Sequence, residues 1–180
     1  MTERDEPTGS SGHREAMVVE PLNDTIDPEN FTPRLLALLS NALVWRESHE
    51  LRRRFGLGTN DWRVISVLAM RPGASATEVS EFIAVNKAVV SKSVAALLER
   101  DLISLVDGPR GSRLIYLTAA GAQMHADMLP VSMSGQDLIL EGLDPEQIAT
   151  LNGWLRAMID TVRDAQTAHA TALSAAGTAL

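Results

Sequence analysis

A mainly α-helical fold with one small β-hairpin is what the sequence predicts. Three observations predict it. Apolar residues recur at helical spacing from 32 to 70 and again from 118 to 162. Two short helical patterns flank a tight turn within 75–99. Two apolar runs, 103–106 and 113–117, enclose a loop rich in Gly, Pro and Arg. A helix pair followed by a basic hairpin has the shape of a winged helix-turn-helix. That shape sets one helix in a DNA major groove with an arginine-bearing loop beside it.

The elements follow in order. Residues 1–28 are rich in Gly, Ser, Asp, Glu and Pro without apolar periodicity, which predicts a disordered acidic tail. Thr32 caps the first helix and Pro33 suits its first position. Leu35, Leu36, Leu39 and Leu43 keep helical spacing to about Phe55, where Gly56 and Gly58 stop it. A second helix spans 59–70 and ends at Arg71-Pro72-Gly73. Ser75-Ala76-Thr77-Glu78 is a capping box opening a short helix, with Val79, Phe82 and Ile83 expected to face inward. Ala84-Val85 turn the chain, and Asn86 caps the next helix. Val90, Val94, Leu97 and Leu98 form its apolar stripe. After the hairpin, Thr118 caps a helix to about residue 129, where Pro130 is expected to break or kink it. Asp144 and Pro145 start the last helix, whose stripe includes Leu151, Leu155, Met158, Ile159 and Val162.

The predicted organisation is a tail over 1–28, a dimerisation helix over 29–56, the winged helix-turn-helix over 57–118, C-terminal dimerisation helices over 119–168 and a frayed, alanine-rich tail over 169–180. The stripes on the first and the last two helices exceed what one small DNA-binding domain can cover. A homodimer built on those helices is therefore expected.

Composition narrows the function. The chain has 180 residues, 45% of them hydrophobic, enough for a real core. It has no cysteine, which excludes disulfides, cysteine-ligated zinc and thiol redox sensing. His13, His49, His125 and His169 show no metal-ligand spacing, and no catalytic triad, phosphate loop or close carboxylate pair stands out. Neither an enzyme nor a cofactor is expected. No apolar run approaches the roughly 20 residues a membrane helix needs, so a cytoplasmic protein is expected. The net charge of -7 argues against DNA until it is located. Residues 1–30 carry -6 and 114–180 carry -5, whereas 52–113 carry +4. The helix-turn-helix is the positive part of the chain, and charge distribution is what a nucleic-acid footprint reflects.

The candidate DNA contacts lie there. Opposite the stripe of the recognition helix stand Asn86, Lys87, Ala88, Ser91 and Lys92. Small residues permit close approach to a groove, and lysines meet guanine edges or phosphates. The alternative is an ordinary solvated face. Arg110 and Arg113 flank the hairpin tip and suit a minor groove, although Arg113 could instead pair with Asp107. Ser75 and Thr77 sit at a helix N-terminus, where free N–H groups bind phosphate. Arg52-Arg53-Arg54 ends the first long helix and is better explained by the helix dipole.

The order of elements resembles the MarR family of transcription regulators. Leu57 to Leu68, Val90-Ser91-Lys92, Leu97 to Ile103, Leu117-Thr118-Ala119-Ala120-Gly121 and Gly142-Leu143-Asp144-Pro145-Glu146-Gln147 carry the resemblance. It covers roughly 31–165. Two places depart from the family. Asp101 stands where glycine is usual after the recognition helix, and aspartate tolerates the left-handed conformation that turn needs. In the wing, Pro109 and Gly111 stand where the family often has an Asp and an Arg. The resemblance implies a repressor released from a palindromic operator by a small-molecule effector, for instance an aromatic acid or its thioester. It also implies an effector pocket near the dimer helices, for which Trp45, Arg46, His49, Trp62, Arg63, His125 and Met128 are candidates. The rival is a winged-helix protein-interaction module that does not bind DNA.

Overall fold

Caps and breakers set the element boundaries. The structure, a computed structural model, describes residues 18–177. Helices α1 (Thr32–Phe55), α2 (Thr59–Met70), α3 (Ala76–Ile83) and α4 (Lys87–Glu99) come first. Strands β1 (Ile103–Asp107) and β2 (Arg113–Leu117) follow, then α5 (Ala119–Leu140) and α6 (Pro145–Gly177). The mainly α fold with a hairpin is the one the sequence predicts. Of the expected tails, 1–17 and 178–180 lie outside the described residues, and 18–31 forms neither helix nor strand.

Contacts divide the chain into two units after Asn41. In the first, the Asp27 carboxylate accepts from the Glu29 backbone N–H (3.0 Å) and Asn30 Nδ2 (2.6 Å). Both bonds favour the ionised acid, the Asn30 contact most, and hold Asp27 below the usual carboxylate range. Leu35, Leu36, Leu38 and Leu39 on α1 are exposed.

The second unit holds the core. Ile65 and Leu68 of α2, Val79 of α3, Leu97 of α4, Ile115 of β2 and Met128 of α5 are fully or almost fully buried. Each such side chain contributes about 1.5–3 kcal/mol of hydrophobic burial. β1 and β2 pair antiparallel, with Ile103 opposite Leu117 and Asp107 opposite Arg113. A third backbone segment joins them. Gly73 N–H donates to Ile115 O (2.9 Å), and Ile115 N–H donates to Ala74 O (3.3 Å). The loop before α3 is thus tied to the wing. Two residues show no alternation, so the sequence carried no sign of this tie.

Two expectations are corrected. α5 does not stop near Leu129 but continues through Pro130 to Leu140. Proline removes one backbone donor, and the burial of Met128 and Val131 on either side carries the helix across. Phe82 is not inward: it is 40% exposed, with the Arg71 guanidinium 4.4 Å from its ring centroid. Of the tail expected over 169–180, residues 169–177 continue α6 and 178–180 lie outside the described residues. No residue of α6 through 172 is buried, and its Trp154, Met158, Ile159 and Val162 are exposed.

Candidate nucleic-acid interface

The helix pair is built by its caps. Glu78 N–H donates to Ser75 Oγ (3.3 Å), and Ser75 N–H donates to Glu78 Oε2 (2.7 Å). Ser75 Oγ also donates to Glu78 Oε2 (2.7 Å). The bond from the Ser75 backbone, then that from its hydroxyl, holds the Glu78 carboxyl below its ordinary range. Ser75 is therefore fully engaged in capping α3, while Thr77 on the first turn is exposed. Ala84 turns the chain in the left-handed conformation (φ 53°). Asn86 Oδ1 accepts from Val89 N–H (3.0 Å) and caps α4.

On α4 the two faces separate cleanly. Val90, Ser93 and Leu97 are buried, whereas Lys87, Ala88, Ser91 and Lys92 are exposed. The small and cationic side chains thus share a free face of a helix anchored by its other side. The far end is fixed as well: Arg100 Nη2 donates to Phe55 O (3.0 Å) at the end of α1.

The exit from α4 is held by backbone contacts. Asp101 adopts the left-handed conformation (φ 55°), as the sequence predicts for a residue standing in for glycine. Thr118 Oγ donates to Asp101 O (2.7 Å) and accepts from Gly121 N–H (3.0 Å), while Thr118 N–H donates to Leu102 O (3.0 Å). Thr118 so caps α5 and fastens it to the residues that leave α4.

The wing tip is a 3-10 turn over Pro109–Gly111. Gly111 has φ +76°, where an arginine would be strained. Arg113 is exposed and its Nε lies 3.6 Å from Asp107 Oδ1. The side chain of Arg110 lies outside the described residues. The basic triplet is spent locally. Arg53 pairs with Glu50 (2.7 Å), Arg52 Nε donates to Ser48 Oγ (3.2 Å) and Arg54 lies over Phe55.

The candidate effector residues separate. Trp45, 74% exposed, stacks on His49 at the surface of α1. Trp62 is buried and stacks on His125 of α5, with ring centroids 5.2 Å apart. Met128 is fully buried in the core. Arg46 Nη1 donates to Ser134 Oγ (3.2 Å), and Arg63 is half-buried. Sequence reasoning missed a half-buried relay here. Trp62 Nε1 donates to Ser132 Oγ (3.0 Å), which donates to Glu47 Oε1 (2.6 Å). Three helices, α2, α5 and α1, are linked through one hydroxyl.

Comparison with known proteins agrees with the sequence. Residues 55–114 match the model of the MarR family. No curated protein matches the chain. A MarR/EmrR family transcriptional regulator from Acinetobacter sp. ADP1 is 24% identical, with a TM-score of 0.72 over 77% of this chain and 99% of that one. MepR of S. aureus, solved as a DNA complex, is 14% identical, with a TM-score of 0.67 over 74% of this chain and 98% of that one. The PcaV transcriptional regulator from Streptomyces coelicolor, solved with its natural ligand, is 19% identical, with a TM-score of 0.65 over 77% of this chain and 99% of that one. The MarR resemblance and the winged helix-turn-helix fold stand on both comparisons. Among the described residues no helix is long and apolar enough to cross a membrane.

Proposed function

We propose that this chain is a MarR-family, sequence-specific DNA-binding transcription regulator that acts in the cytoplasm as a homodimer. One observation carries the reading: Lys87, Ala88, Ser91 and Lys92 form the free face of α4 within the chain's net-positive segment. Lys87 and Lys92 supply phosphate or guanine contacts, Ala88 and Ser91 permit close approach, and the wing arginines Arg110 and Arg113 lie beside them in the chain. Ser75 and Asn86 act by capping, which points the N-termini of α3 and α4 at the backbone, and Thr77 adds a phosphate contact.

The exposed apolar side chains of α1 and of α6 support dimerisation. A two-fold dimer sets its recognition helices about 34 Å apart and calls for a palindromic operator. Repression released by a small-molecule effector is the regulatory logic proposed. It is supported by the fold shared with MepR, a DNA complex, and with PcaV, a ligand complex.

A mobility shift on DNA selected from a random pool, at two salt concentrations, tests the reading. A regulator retains a palindromic site and loses affinity steeply with salt. No binding even at low salt selects the protein-interaction module instead.

A further inference from the structure

The chain carries 16 cationic residues, and 14 of them are arginine. Its two lysines, Lys87 and Lys92, both stand on the exposed face of α4. Val90, Ser93 and Leu97 are buried on the other side of that helix. Among the described residues neither lysine forms an ion pair. No acidic residue lies between Glu81 and Glu99, so the two amines are the only charges on α4 before its last residue.

We propose that Lys87 and Lys92 are acylation sites, and that an acyl group taken from an activated donor, an acyl phosphate or an acyl thioester, switches off DNA binding. The second half of this statement rests on the regulator reading above. Arginine has the rigid fork that meets guanine O6 and N7 together, and it stays charged throughout the pH range of proteins. This chain uses arginine where a fixed fork or a permanent charge is needed. Arg100 holds Phe55 O, Arg46 holds Ser134 and Arg53 holds Glu50. On α4 alone it uses the cation that acylation can neutralise.

The step balances without an oxidant or a metal. The ammonium first gives one proton to water. The freed nitrogen lone pair attacks the acyl carbonyl carbon, and the N–C bond forms. The bond from that carbon to phosphate oxygen or to sulfur breaks, and the departing phosphate or thiolate takes the second proton that nitrogen sheds. The product is a neutral amide. No cysteine competes for the acyl group, and a guanidinium, always protonated, has no lone pair to offer. With both amines acylated, residues 52–113 fall from +4 to +2, and the exposed face of α4 has no cation left to meet phosphate or guanine. Each acyl group also adds bulk next to Ala88 or Ser91, the small residues that permit close approach.

The test uses the full chain, with acetyl phosphate in one arm and acetyl-CoA in the other. Peptide mass mapping should find one acetyl group on each of Lys87 and Lys92, and the arm that reacts identifies the donor. Acetylated protein should bind the selected operator at least about tenfold more weakly than untreated protein, with a flatter salt dependence. Operator added before the donor should protect both amines. In the double variant Lys87→Arg/Lys92→Arg, whatever its own affinity, treatment should leave that affinity as it was. Nε-acetyllysine encoded at 87 and 92 should reproduce the loss with no donor present. A lysine unmodified in both arms is overturned as a site. Acetylation that leaves DNA affinity intact, modification undiminished by bound operator, or an equal loss in the treated double variant overturns the switch. A chain acetylated at both lysines that binds no DNA before treatment overturns the regulator reading and leaves the acylation sites standing.

Discussion

The carbonyl oxygen of Leu102 occupies the space where a side chain on Gly121 would begin. Gly121 is therefore glycine for steric reasons: the first turn of α5 presses on the backbone that leaves α4. Gly121→Ala must push the two apart. The expected cost is about 3 kcal/mol, read as a lower urea midpoint at unchanged slope. A variant as stable as the parent would show that the contact yields freely.

Ser132→Ala removes the hydroxyl that serves Trp62 and Glu47 at once. Both partners are left with an unmet bond, so a loss of about 1–3 kcal/mol is expected in chemical denaturation. Glu47→Gln keeps an acceptor and should cost less. If the two variants melt alike, the carboxylate rather than the hydroxyl carries the linkage.

Lys92→Ala and Arg110→Ala should each weaken operator binding and reduce its log–log salt slope by about 1. Arg53→Ala, whose side chain is held by Glu50, should leave both quantities as they are. A fluorescence anisotropy titration over a salt series separates these outcomes.

Removing residues 1–28 takes away net negative charge. Dimerisation should be unaffected and DNA affinity equal or higher, because the deletion lessens repulsion from phosphates. A large loss of affinity would assign the segment a direct part in binding.

The Glu78 carboxyl titrates below its unfolded counterpart because it accepts the bonds of the α3 cap. Its contribution is complete above the ordinary glutamate range and is lost as pH falls through and below it. Glu78→Gln should lower stability at neutral pH and flatten the acid limb of a stability–pH profile, so that parent and variant converge as pH falls.

The caps at Ser75, Asn86, Thr118 and Asp144 were legible because each is a local signal, one side chain meeting a backbone N–H three residues on. The α4 stripe was legible for a similar reason, since Val90 and Leu97 repeat at helical spacing. Phe82 misled because its partner, Arg71, is on another element. Neither Ser132 nor Gly73 could be foreseen. Ser132 joins helices through a single hydroxyl, Gly73 and Ala74 each meet the strand through one backbone bond, and neither pattern is periodic. The seven effector candidates were grouped by chemistry alone, and packing separated them: Trp45 stacks on His49 at the surface, while buried Trp62 stacks on half-buried His125.

Pro130 gives α5 a joint. The proline has no N–H to offer, so the carbonyl of Ala126 lacks its helical donor and resistance to bending drops at that turn. Within the next turn, Ser132 and Ser134 are fastened to Glu47 and Arg46 of α1. The softest point of the rod carries its splint. Those two bonds brace α5 against α1 just past the turn that lacks a backbone bond.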